Sequence, residues 1–177
     1  QSGTKPTGAM SLGHIDLSGD FTIQYWVKYT ESQTYHTVWA FDYFRGGAID
    51  LVGQASGSHR LAIYSGGSTI GTEPSSGAPV ADTWYYYQIT RTIADGALKV
   101  YRDGVETISG TVAGTISTTN AAIGHAKTGG TAQGSGTSYS FGGIIDEFMI
   151  TKDIRPYGLP TAATASPAVS TTTVTDA

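Results

Sequence analysis

FGGIIDEFMITKDIRPYGLP, residues 141–160, reads as a strand closing a β-sheet and running into a turn, and FTIQYWVKYT, residues 21–30, reads as its partner. Both are expected to be central strands of a β-sandwich. In the second, Phe21, Ile23, Tyr25, Val27 and Tyr29 alternate with Thr22, Gln24, Trp26, Lys28 and Thr30. A period of two places the first set on the core face of a strand and the second on the opposite face. Trp26 interrupts that polar set, so a crossing loop covers it or it stands as an aromatic platform. In the first stretch the same alternation groups Asp146 with Ile144, Phe148 and Ile150 and sends the neighbouring Glu147 to the other face.

Outward from these two strands the chain keeps an all-β rhythm. Short strands are expected at residues 9–12, 37–44, 48–54, 60–65, 84–92, 97–102, 105–108 and 121–125. Between them lie turn residues such as Gly13, Ser18-Gly19-Asp20, Gly46-Gly47, Gly66-Gly67, Ala94-Asp95-Gly96 and Asp103-Gly104. Residues 69–82 carry Pro74 and Pro79 and read as the longest loop, and residues 128–138 as a Gly-rich loop. Residues 1–8 form an extended lead-in, residues 9–160 one sandwich domain, and residues 161–177 an Ala/Thr/Pro-rich tail or linker, because that composition cannot bury enough apolar surface to fold alone.

Composition narrows the chemistry. There is no cysteine among the 177 residues, which removes disulfides, thiolate metal sites and a cysteine nucleophile. Glycine at 24 and tyrosine at 11, with only 14% charged residues, fit a turn-rich β protein. A net charge of −4 with ten scattered Lys and Arg supplies no basic stripe for nucleic acid, and no apolar run approaches a membrane span.

Several pieces then fall in order: residues 21–30; Trp84-Tyr85-Tyr86-Tyr87-Gln88-Ile89-Thr90-Arg91; Leu98-Lys99-Val100-Tyr101-Arg102-Asp103-Gly104-Val105; Ala122-Ile123-Gly124; and Gly143 to Ile150 with Arg155-Pro156-Tyr157. The series resembles the laminin G-like branch of the concanavalin A-like lectin/glucanase superfamily over residues 9–160. The resemblance implies a jelly-roll sandwich of two antiparallel sheets. It is also similar to versions found on phage virion proteins, in tail fibres, appendages and decoration proteins, although Arg155-Pro156-Tyr157 departs from the usual Ala-Arg-Tyr form.

That superfamily includes glycoside hydrolases, whose two carboxylates must flank the scissile bond. Their strand motif, Glu-x-Asp-x-Glu, uses alternation to put the acids on one face. The chain has no Glu-x-Asp, no nucleophile elbow around His14, His36, His59 or His125, and no phosphate cradle in its Gly-rich loops. The expectation is a non-enzyme. Calcium needs six to eight oxygens; Asp16 with Asp20, or Asp42 with Asp50, would have to supply carboxylates, and turn caps explain these residues more simply. No cofactor is expected beyond that calcium option.

Asp146 on an apolar face needs donors, since a buried unpaired carboxylate costs several kcal/mol. It reads as a structural latch, held by loop amides or by Arg91 or Arg155. Sugar binding would rest on aromatic rings and a few polar groups, for which Tyr35, His36, Trp39, Tyr43, Tyr64 and Tyr139, in or near turns, are the candidates. The leading expectation is a virion-surface module whose tail packs on other virion proteins, with homo-oligomers and cell-surface glycans as further partners. The alternative is a carbohydrate-binding module of a secreted or cell-surface protein.

Overall fold

Strand β2 (Phe21–Tyr29) sits inside the sheet that organises the molecule, and it is buried along both faces except at Lys28. The structure is a computed structural model that describes residues 10–30, 35–41, 51–56, 59–65, 68–124, 127–128, 131–132 and 141–156. The other strands are β1 (Met10–Leu17), β3 (Tyr35–Phe41), β4 (Leu51–Ser56), β5 (Leu61–Ser65), β6 (Ser68–Thr72), β7 (Trp84–Arg91) and β8 (Ala97–Arg102). They continue with β9 (Val105–Thr111), β10 (Ile116–Ile123), β11 (Lys127–Thr128), β12 (Thr131–Ala132) and β13 (Gly143–Thr151). They form a six-stranded sheet of order β1-β10-β3-β4-β5-β6, a five-stranded sheet of order β13-β2-β7-β8-β9, and a two-stranded ribbon of β11 and β12. Every pairing is antiparallel.

The fold is therefore all-β and sandwich-like, with three sheets where two were expected. The core lies between the two large sheets. Leu17, Trp39, Phe41, Leu61, Ile63 and Ile116 come from one side; Phe21, Ile23, Tyr25, Val27, Tyr87, Ile89, Leu98, Val100 and Ile108 come from the other. Each such side chain contributes about 1.5–3 kcal/mol on leaving water. The expected inward set of β2 is the observed one, and β2 meets β7 without a register shift from Phe21↔Arg91 to Lys28↔Trp84. Rings stack on both sides of β2, Tyr25 on Tyr87 of β7 at 5.5 Å and on Phe148 of β13 at 5.7 Å.

Several expectations need correction. Strand β13 is the edge of its sheet, with β2 as its neighbour, and is not a central strand. Its alternation breaks between Asp146, opposite Trp26, and Met149, opposite Gln24, where one extra residue bulges out and Glu147 takes a φ of 49°. The bulge changes the phase. Ile145, Phe148 and Ile150 pack on the core while Ile144 is 47% exposed, so Ile144 does not share a face with Phe148 and Ile150 as simple alternation required. Gly13, at a φ of 71°, is a bulge position inside β1 and not a turn that ends it. Within the expected long loop, Ser68–Thr72 forms β6. The Gly46-Gly47 and Gly66-Gly67 turns, the lead-in and the tail lie outside the described residues.

One flank of the sandwich closes where β6 and β9, the edges of different sheets, come together. A Cβ placed on Gly71 would lie 2.4 Å from Cγ2 of buried Ile108, and one on Gly110 would lie 2.5 Å from Cγ2 of Ile70. The two glycines face opposite directions across the same seam, and neither has room for a methyl group. Gly71→Ala or Gly110→Ala should each destabilise the chain by about 1–3 kcal/mol through overpacking, lowering Tm by roughly 2–4 °C per kcal/mol at this size. Thermal unfolding of both variants tests this, and an unchanged Tm would show that the seam is loose.

Candidate functional site

The second face of the five-stranded sheet, turned away from the core, carries a ladder of aromatic and amide side chains. Cross-strand pairing aligns Lys28 with Trp84, Trp26 with Tyr86 and Gln24 with Gln88, and β13 adds Ile144 beside Lys28 and Asp146 beside Trp26. Trp26 and Tyr86 stand 5.3 Å apart at a tilt of 51°. The Trp84 ring is partly exposed, with Lys28 Nζ 5.4 Å from its centroid, a cation–π arrangement. Exposed Ile144 borders the Lys28–Trp84 end. The accessible part of this face is its Lys28–Trp84–Ile144 end, while Gln24, Trp26, Tyr86 and Gln88 are buried.

The other end of this face is covered by the chain that leaves β13. Thr22 Oγ1 donates to the carbonyl of Asp153 (2.7 Å) and accepts from the amide of Arg155 (2.9 Å), while Gln88 Nε2 donates to the Arg155 carbonyl (2.8 Å). Asp153 to Arg155 thus form a strap. Beyond it, Gln24 Nε2 donates to the Tyr86 hydroxyl. Burial raises that phenol's pKa, the carboxylate of Glu147 raises it further, and Gln24 and Arg155 oppose the shift.

The latch expectation changes in its atoms. Arg155 holds the strap with its backbone; its side chain is exposed and makes no ion pair among the described residues. Asp146 Oδ1 accepts the amide of Glu147 (2.8 Å), closing the bulge on which both sit. Arg91 is buried at the far end of β7, donating through Nε (3.3 Å) and Nη2 (3.0 Å) to the Val112 carbonyl and also to the Gly114 carbonyl, so it anchors a loop and not Asp146.

Of the aromatic candidates, Trp39 is fully buried and stacks on Phe41 at 5.3 Å in the core. Tyr35, His36 and Tyr64 fall on β3 and β5, with Tyr35 opposite Ser56, His36 opposite Ala55 and Tyr64 opposite Val52; their side chains, and all of Tyr43 and Tyr139, lie outside the described residues. Asp16 and Asp20 cap turns, accepting the amides of Ser18 (3.0 Å) and Ile93 (2.7 Å). Asp42 and Asp50 lie outside the described residues. Among the described residues no group of three or more His, Asp or Glu could hold a metal, and no helix is long and apolar enough to cross a membrane. Trp84 was legible as a strand residue only, and its place in the ladder follows from register.

A second polar cluster lies between the sheets. Glu73, buried just past β6, accepts the Leu61 amide (2.8 Å) and the Tyr87 hydroxyl (3.0 Å) and faces Arg102 Nη1 at 3.2 Å. Arg102 also donates to the Gly77 carbonyl, and the Val80 amide donates to the Tyr85 hydroxyl (2.8 Å), so loop 74–83 is fastened over the cluster. Burial pushes the phenols of Tyr25, Tyr29 and Tyr87 well up, keeping them protonated. One carboxylate surrounded by donors is a structural arrangement; a glycosidase needs a second acid beside it.

A family model described as the concanavalin A-like lectin/glucanases superfamily, of laminin G type, matches residues 3–155. No curated relative matches the sequence. Among solved structures, domains LG4-5 of the mouse laminin alpha1 chain superpose with a TM-score of 0.63 at 17% identity over 82% of this chain and 39% of that one. A native heptameric SAP-like pentraxin from Limulus polyphemus gives 0.61 at 12%, covering 87% and 74%. The CBM40 of the Ruminococcus gnavus IT-sialidase, bound to alpha2,3 sialyllactose, gives 0.58 at 11%, covering 83% and 94%. This chain thus spans about two fifths of the laminin chain and nearly all of the CBM40.

The Glu73 carboxyl has a pKa above its ordinary 4.5, driven by burial and opposed by the Leu61 amide, Arg102, Tyr87 and Thr107. A raised folded-state pKa means that the folded chain holds this proton more tightly than the unfolded chain does. The contribution to stability is full below the unfolded value and lost as pH rises through the raised one. The Tm gap between wild type and Glu73→Gln should therefore move in the variant's favour from pH 4 to pH 7, whatever its size at pH 4. Movement the other way would show that Arg102 and the donors outweigh burial.

Proposed function

Because this chain belongs to the concanavalin A-like lectin/glucanases superfamily, we propose that it is a non-catalytic carbohydrate-binding module. The observation that carries the reading is the Lys28–Trp84 end of the outer face. There a partly exposed indole, a cation and exposed Ile144 sit in one cross-strand row on a rigid sheet. A pyranose presents C–H groups that pack on such a ring, and its hydroxyls are met by the Lys28 ammonium and the Asp146 carboxylate. Rigid strands hold these groups in place before the sugar arrives, which limits the entropy lost on binding.

The similarity to the sialyllactose-bound CBM40, nearly all of which this chain covers, supports the same reading. The virion-surface role expected from the sequence resemblance draws no support from laminin, pentraxin or sialidase relatives, and the carbohydrate-binding alternative becomes the main reading. An extracellular location suits it. Non-catalytic action is supported by the absence of a paired-carboxylate strand motif in the sequence and by the use of Asp146 to close a bulge. Tyr35 and Tyr64, placed by register on strands of the six-stranded sheet, are the competing candidates.

A glycan array of neutral and sialylated oligosaccharides, probed with the full chain, should return binders. Trp84→Ala should weaken them by about thirtyfold, the effect of truncating an aromatic anchor worth about 2 kcal/mol. Loss through Tyr35→Ala or Tyr64→Ala with Trp84→Ala unchanged would move the site to the other sheet. An array without binders would reject the function.

A further inference from the structure

The carbohydrate-binding reading can be carried further at the strapped end of the same face. Gln24 and Gln88 oppose each other across β2 and β7, and each carboxamide uses only its Nε2, toward the Tyr86 hydroxyl and the Arg155 carbonyl respectively. Both Oε1 atoms are buried and accept no hydrogen bond, in residues only 7% and 0% exposed. Leaving buried acceptors unmatched is costly, and the cost is recovered when donors arrive. Beside them lie Trp26 and Tyr86, tilted rings 5.3 Å apart.

We propose that Gln24, Gln88, Trp26 and Tyr86 form a second, covered sugar subsite, and that the Asp153–Arg155 strap is its gate. In the closed state Thr22 and Gln88 hold the strap through three hydrogen bonds. Asp153 and Arg155 are exposed, and no ion pair among the described residues pins either to the sheet. When the strap lifts, vicinal hydroxyls of a pyranose donate to the two Oε1 atoms, the freed Gln88 Nε2 donates to a sugar oxygen, and the ring packs on Trp26. Ligand entering at the open Trp84 end reaches this subsite along one sheet face, so the assembled site fits an oligosaccharide and not a single sugar.

Two changes release the strap without touching the proposed contacts. Thr22→Val removes the hydroxyl that makes two of its bonds, and Arg155→Pro removes the amide of the third residue from the exposed strap itself, which protects the test if Thr22→Val fails to fold. In a Trp84→Phe background, where Trp39 is fully buried, acrylamide quenching reports Trp26. Either variant should increase that quenching, and Thr22→Ser should restore the closed value. On the glycan array, with Trp84 intact, each opening variant should bind trisaccharides and longer chains about tenfold more tightly, since the cost of breaking the strap bonds no longer opposes binding. Adding Gln88→Leu should abolish that gain. Increased quenching with unchanged or weaker binding would overturn the subsite while leaving the Trp84 reading intact. Unchanged quenching would overturn the gate, and an array silent to wild type and variants alike would overturn both readings.

Discussion

A central strand buried on both faces obliges the rest of the molecule to supply two covers. In β2 the inward residues Phe21, Ile23, Tyr25, Val27 and Tyr29 are covered by the six-stranded sheet, a mainly hydrophobic demand. The outward residues Thr22, Gln24 and Trp26 are also buried, and two of them are polar, so their cover must bring hydrogen-bonding partners as well as surface. Thr22 finds the backbone of Asp153 and Arg155, and Gln24 finds Tyr86. The return of the chain across the sheet after β13 supplies part of that outer cover.

The two polar clusters meet this demand in different ways. Around Glu73 one carboxylate oxygen accepts a strand amide and a phenol while the other faces a guanidinium, and a loop is tied down above the cluster. Such a network, closed by a fastened loop, fixes geometry between the sheets. On the outer face the polar groups are partly used. Trp84 keeps accessible surface, Lys28 stands over it, and two glutamine oxygens remain without donors.

Much of the fold could be read from residue order alone, because β2 and β7 alternate without interruption and Asp103-Gly104 marks its hairpin plainly. Asp103 does more than turn the chain: its Oδ1 accepts the Tyr86 amide (2.9 Å), tying the turn to β7. Alternation misled where backbone irregularity entered. The extra residue near Asp146 reverses the phase of β13, so Ile144 is exposed where the pattern grouped it with Phe148 and Ile150. Ser68–Thr72 carries only one large apolar residue and gave no strand signal, yet its Gly71 is what lets two sheet edges meet. The site was harder still. Arg155 acts through its backbone amide and carbonyl, which every residue but proline shares, and Trp39 and Trp84 look alike in sequence although one is core and the other lines a surface. Only cross-strand register separates them.

Backbone amide shifts of the uniformly 15N-labelled chain, followed while the tightest array oligosaccharide is added, test the location of binding most directly. The largest changes are expected at Lys28, Trp84, Tyr86, Ile144 and residues 153–155, on one face of the five-stranded sheet. Changes confined to β3, β4 and β5, with Lys28 and Trp84 unmoved, would contradict it.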